Sequence, residues 1–135
     1  MTPTASPIKI SLDLRFASLP GGGFVYVAKL VPTLIRLYPC VRWKLYHNPH
    51  CPAQQSLITR SGLKQKSNVR LVDVKSRCLS LRQHVEFASV RDDADLYHYL
   101  HFDMPLGMGR LPLVITIHDL YPLTVPNYCS KLKRT

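Results

Sequence analysis

Acidic residues are scarce in this sequence. Asp and Glu number 8 against 18 Lys and Arg, and Glu86 is the only glutamate. The formal charge of +10 favours anionic partners, whether nucleic acid, acidic lipid or phosphorylated small molecules, and does not choose among them. Cysteines number 4, at Cys40, Cys51, Cys78 and Cys129. No two stand as Cys-x-x-Cys, which argues against a zinc ribbon and for reduced thiols rather than a disulfide framework. Long apolar runs are also missing. The longest starts at Phe24 and is interrupted by Lys29, Pro32 and Arg36, so no membrane span is expected. Met1 to Pro7 contains no apolar h-region, so no signal peptide is expected and the chain reads as cytoplasmic. Aromatics are only 9%, with no stacking stripe and no RNA-recognition motif, so nucleic acid is not an expected partner.

What remains is a globular composition, 46% hydrophobic and 19% charged, in 135 residues, enough for one core. Ile8 to Leu14 alternates apolar and polar residues as a strand does. Leu19-Pro-Gly-Gly-Gly23 breaks it. From Phe24 to Tyr38, Val27, Leu30, Val31, Leu34, Ile35 and Tyr38 recur at helical spacing, with Pro32 expected to kink the helix and Pro39 to mark its end. Val41 to Tyr46 reads as a strand and His47 to Pro52 as a loop; Ala53 to Asn68 is basic and poorly periodic and stays unassigned. Val69 to Val74 is a short strand. Leu79 to Val90 is a helix with Leu81, His84, Val85 and Ala88 on one face. Asp95 to Tyr99 and Leu113 to Ile117 are strands, and Ser130 to Thr135 could open a further helix. Short apolar strands alternating with helices predict an α/β fold, a Rossmann-like, mostly parallel sheet with helices on both faces.

In such sheets ligands bind beyond the carboxyl ends of the strands. That rule selects Ser18-Leu-Pro-Gly-Gly-Gly23, Tyr99-Leu-His-Phe-Asp-Met104 and His118-Asp119-Leu120. Gly21, Gly22 and Gly23 permit close backbone approach, and the helix after them offers free N–H groups to an anion; a flexible turn is the plainer alternative. The run is neither Gly-x-Gly-x-x-Gly nor a P-loop, which disfavours a dinucleotide site. His118 could donate a hydrogen bond to a ligand hydroxyl or act as acid or base, and it could equally be satisfied by the core or a turn. Asp119 could be only an N-cap. His47, His50 and Cys51 lack a second ligand pair nearby and read as ordinary surface residues; His98 and His101 should point to different sides. No metal is therefore expected. Arg60, Lys64, Lys66 and Arg70 read as a solvated basic face, or as one that meets an anionic surface or acceptor.

Ile8-Lys-Ile-Ser-Leu-Asp-Leu-Arg15, the glycine turn, Asp95-Leu-Tyr-His-Tyr with His101-Phe-Asp-Met-Pro105, and Val114-Ile-Thr-Ile-His-Asp-Leu-Tyr-Pro-Leu123 with Pro126-Asn-Tyr-Cys-Ser-Lys131 resemble family 4 retaining glycosyltransferases of the GT-B fold. The resemblance runs from Ile8 to Arg134, with Cys51 to Asn68 unplaced. It implies that the chain is the front part of an N-terminal, acceptor-side Rossmann-like domain. It implies that Gly21, Gly22 and Gly23 approach the diphosphate of a nucleotide-sugar donor. His118 would hydrogen-bond the donor sugar, with Asp119 beside it as the second catalytic residue. His101 and Asp103 would lie near a glycan or lipid-linked acceptor. No metal or other cofactor is implied, because basic residues and helix dipoles stabilise the leaving diphosphate. The implied setting is polysaccharide biosynthesis in the cytoplasm or at the cytoplasmic membrane face.

The chain stops at Thr135, so the donor domain is expected to be absent, or supplied by a separate chain, and the 135 residues alone are expected to be inactive. Without a further covering helix, Leu113 to Ile117 is expected to meet water and to promote self-association. The alternative reading is a stand-alone basic module that binds RNA or anionic lipid. Glu86 is expected on a helix away from the ligand rim.

Overall fold

A computed structural model describes residues 6–18, 20–108, 110–120 and 124. Strands β1 (Lys9–Asp13), β2 (Arg42–His47), β3 (Val69–Asp73), β4 (Leu96–Tyr99) and β5 (Leu113–Ile115) form one sheet in the order β3-β2-β1-β4-β5. Every pairing is parallel. Helices α1 (Gly22–Leu37), α2 (Pro52–Arg60) and α3 (Leu81–Ala88) cover it. This is the expected Rossmann-like α/β architecture with helices on both faces.

The two-residue period of the strands separates two cores. Leu12, Trp43 and Leu45 pack with Val27, Val31 and Ile35 of α1 and Leu57 and Ile58 of α2. On the opposite face Tyr46, Tyr97 and Tyr99 pack with Phe87 of α3 and with Met108. The chain moves outward from β1 to β2 to β3, then crosses back to place β4 on the other side of β1. A right-handed connection that reverses direction must use the opposite face, which is where α3 lies. The order reverses between β1 and β4, the position at which open parallel sheets commonly bind ligands.

Local chemistry explains the element ends. Pro32 stands inside α1 yet does not divide it, and Tyr38 N–H closes the helix on the Leu34 carbonyl at 2.9 Å. The segment left unassigned from the sequence forms α2 and a 3-10 turn, Leu63–Gln65. Pro52 sits where a first helical turn tolerates a missing N–H, and Gly62 takes the left-handed φ of 61° that ends it.

Helix α3 departs from the sequence expectation. Its inward residues are Gln83 and Phe87, while Leu81 is 87% and Val85 75% exposed. Phe87 supplies the apolar anchor, and Gln83 is drawn inward by a buried charge described below. β5 ends at Ile115, two residues earlier than expected, and Val114 and Ile115 on it are both partly exposed. Tyr121 to Leu123 and Val125 to Thr135, with Cys129 and the expected terminal helix, lie outside the described residues. Among the described residues, no helix is long and apolar enough to cross a membrane.

Candidate functional site

The carboxyl rim is organised around an ion pair that sequence reasoning missed. Asp13 ends β1, and Arg15 follows two residues later; both are fully buried. Arg15 Nη2 donates to Asp13 Oδ2 at 2.7 Å and Nε to Oδ1 at 3.0 Å. Its Nη1 donates to Ser76 Oγ at 3.0 Å, and Nη2 also reaches Gln83 Oε1 at 3.3 Å. The Tyr97 hydroxyl donates to Asp13 Oδ2 at 2.8 Å. The guanidinium lies 4.5 Å from the centre of the Phe87 ring. Burial opposes the Arg15 charge, but the Asp13 carboxylate overrides it and raises the pKa beyond its usual value. One strand residue and one loop residue are thereby tied to the loop after β3, to β4 and to α3, which fixes the loop leaving β1.

That loop carries Phe16 into the glycine turn. A Cβ on Gly23 would stand 2.5 Å from the Phe16 ring, so only glycine fits there without displacing it. A Cβ on Gly21 or Gly22 would meet nothing within 4 Å. Gly21 caps α1 at φ 142°, a conformation that favours glycine. The first turn of α1 has no acidic residue and no side-chain cap. Its amides and the positive end of the helix dipole therefore face an open cleft of about 690 Å³, lined by Phe16, the three glycines, Asn48 and Arg77.

On its other side the Phe16 ring joins the two histidines selected from the sequence. It stacks on His118, with ring centres 4.9 Å apart, and packs against His101 at 4.3 Å. Tyr26 of α1 meets His118 edge-on at 4.8 Å. His118 Nε2 lies 2.9 Å from the Leu100 carbonyl. A carbonyl only accepts, so Nε2 carries a proton, and in the neutral ring Nδ1 is the acceptor. His101 is buried, and its Nδ1 accepts the Asp103 N–H at 3.4 Å. Burial lowers its pKa, the neighbouring His118 adds to this, and the Asp103 and Asp119 carboxylates oppose it.

Other residues selected from the sequence have structural tasks. Asp103 Oδ2 accepts the Leu79 N–H at 2.6 Å and a hydrogen bond from Gln83 Nε2. It therefore clamps the start of α3. Asp119 is exposed beside His118. Glu86 corrects an expectation: its carboxylate accepts the backbone N–H groups of Lys75 and Ser76 at 2.8 and 2.7 Å, just past the carboxyl end of β3. It is thus at the rim rather than away from it. Burial would raise its pKa, but these hydrogen bonds lower it.

His47 is a second correction. It is buried rather than a surface residue, with Nε2 3.1 Å from Asp73 Oδ1 and Nδ1 3.1 Å from Gln55 Nε2. His50 is exposed, and Cys51 is half-buried at the cap of α2. His98 and His101 are linked only indirectly. Strand β4 ends at Tyr99, so strand alternation does not carry on to His101. Both histidines enter one chain of contacts, His98 to Thr116 Oγ1, Thr116 to Tyr26, Tyr26 to His118 and His118 to His101. Among the described residues no group of three or more His, Cys, Asp or Glu could hold a metal ion. Burial, helped by the Asp13 charge, pushes the Cys78 thiol up to about 12, which favours its protonated form. Arg60, Lys64, Lys66 and Arg70 are all exposed.

Ser11, Asp13 and Arg15 were nonetheless detectable in principle. A parallel sheet covered on both faces should be apolar on both, so polar residues at alternate positions from β1 into the loop after it signal a buried polar network. Phe16 stands between the glycine turn, which lines the cleft with the loops after β2 and β3, and His101 and His118, which pack on its ring; Asp103 is turned toward α3. Comparison with protein-family models, with curated proteins and with solved structures returned no match.

Proposed function

We propose that this chain is the acceptor-side Rossmann-like unit of a retaining GT-B glycosyltransferase, which moves a sugar from a nucleotide-sugar to a glycan or lipid-linked acceptor. The observation that supports this best is the meeting of the glycine turn and His118 on the two sides of Phe16, at the point where strand order reverses. In this reading the first-turn amides of α1 hold the donor diphosphate and stabilise the charge that develops on it as the sugar leaves. His118, held by the Leu100 carbonyl, accepts a hydrogen bond from a donor-sugar hydroxyl through Nδ1. His101 borders the acceptor, with Asp103 shaping its loop and Asp119 beside His118. In this reading a second Rossmann-like unit faces the cleft from the other side.

Calorimetric titration with UDP-glucose, UDP-N-acetylglucosamine, GDP-mannose and the matching nucleoside diphosphates tests the reading. Half a cleft should bind with Kd of about 1 mM, near 4 kcal/mol. His118→Ala should weaken the nucleotide-sugars and leave the nucleoside diphosphates unchanged, whereas Gly22→Asp should weaken both. Absence of binding by the whole panel, or equal weakening of both ligand sets by His118→Ala, would overturn it.

A further inference from the structure

The opposite end of the sheet carries a feature that does not depend on the reading above. The register sets Lys9 of β1 directly against Arg42 of β2, and Lys44 of β2 directly against Arg70 of β3. All four lie on the face that bears α3, because Ser11, Tyr46 and Val72 follow them at two-residue spacing on that face. Like charges placed directly opposite each other across a ladder disfavour the pairing. Two carboxylates compensate part of the charge. Asp93 Oδ2 pairs with Lys9 at 2.8 Å, and Asp92 and Asp93 both pair with Lys44. Asp92 also accepts the hydroxyls of Ser11 and Tyr46, so its oxygens are already shared. Arg42 and Arg70 are exposed, and no carboxylate among the described residues pairs with either.

These side chains border an open cleft of about 550 Å³. Strand spacing of about 4.8 Å and a rise of about 3.3 Å per residue confine the four Cα positions to a patch roughly 10 Å by 7 Å. Such a patch matches a compact anion. It is too small to be the track of an extended polyanion, which needs cations spread along its backbone.

We propose that this cleft is a binding site for a compact oligophosphate group, held mainly by bidentate donation from Arg42 and Arg70 with Lys9 and Lys44 supplying charge. Guanidinium groups present the planar donor fork that phosphate oxygens accept. The bound anion relieves the like-charge register on β1, β2 and β3, so occupancy stabilises the sheet.

Heteronuclear NMR titration of the full chain with sodium pyrophosphate at constant ionic strength tests this. The amides of Lys9, Arg42, Lys44, Asn68 and Arg70 should shift together and saturate. The double substitution R42Q/R70Q should weaken the affinity read from the Lys9, Lys44 and Asn68 amides by about tenfold or more. R60Q/K64Q removes the same formal charge from exposed positions elsewhere and should change that affinity by less than about twofold. Because Arg42 and Arg70 are exposed, R42Q/R70Q should stay folded, which its amide spectrum reports directly. Equal losses in the two double variants would reduce the effect to net charge and overturn the proposal. So would unmoved amides in this cleft at saturating pyrophosphate. A single-stranded RNA oligonucleotide that shifts these amides where pyrophosphate does not would assign the surface to an extended polyanion instead.

Discussion

Replacing Arg15 with Met removes the charge at the centre of the rim while keeping a side chain of similar reach. Arg15 is 1% and Asp13 0% exposed, so water cannot take over the lost interactions. Asp13 would keep the Tyr97 hydroxyl at 2.8 Å and the Arg15 backbone N–H at 3.0 Å, but its charge would be buried without a counter-charge. Ser76 Oγ and Gln83 Oε1 would lose a donor as well. Breaking one partner of a buried pair costs about 3–5 kcal/mol. Against a total of about 5–15 kcal/mol for a domain, that is enough to move a urea midpoint strongly or to unfold the chain. The companion change Asp13→Asn removes the negative charge while keeping an acceptor for Tyr97. The double variant D13N/R15M buries neither charge, so its loss should be smaller than the sum of the single losses by about 2 kcal/mol. Urea denaturation followed by circular dichroism measures all four corners of the cycle. Should R15M alone be folded, and the cycle additive within about 0.5 kcal/mol, the pair would not be holding the rim and the argument would fail.

The remaining predictions concern the glycine turn, acid and the outer face of α3. Gly22→Ala should be neutral or stabilise by up to about 1 kcal/mol, since its Cβ meets open space in a helical turn. Gly23→Ala should cost about 1–3 kcal/mol through displacement of Phe16, and NMR should show shifted His101 and His118 ring resonances only in this second variant. Burial holds His47, His98 and His101 below the ordinary histidine value of 6.5. The unfolded chain therefore takes up protons first. Stability should be full above about pH 6.5 and fall as the pH drops from there toward the lowered native values. A urea midpoint that rises between pH 7.5 and pH 5.5 would contradict this. Leu81→Gln should change stability by less than about 0.5 kcal/mol because the side chain already faces water, whereas Phe87→Ala should cost about 3–5 kcal/mol.

The strands were legible in the sequence because alternation and short apolar runs record burial directly. The chain from Ile8 to Leu14 shows both the strength and the limit of that signal. Its period marked β1, yet the polar half of the period was Ser11 and Asp13, which face a second core rather than water. The same hidden charge explains which face of α3 turns inward. Apolar spacing groups Leu81 and Val85 on one face but does not say where it points; Arg15 takes a polar partner, and Gln83 meets it. Helix α2 was hidden by its polar composition, although Pro52 and Gly62 punctuate its two ends. At the rim, position after a strand selects Gly21, Gly22, Gly23, His101 and His118. Which of these converge depends on strand order, and the placement of β4 beside β1 could not be read from local pattern. The hydrogen bond of His118 to the Leu100 carbonyl is likewise a contact made across the fold, which local pattern does not record.

NMR mapping of a nucleotide-sugar on the isotopically labelled full chain tests the central claim most directly. The account predicts saturable shifts in the amides from Gly21 to Phe24 together with those of Thr116, Ile117 and His118, produced by the same ligand with the same Kd. Amides in both stretches that stay unmoved at saturating concentrations of every donor in the panel would contradict it.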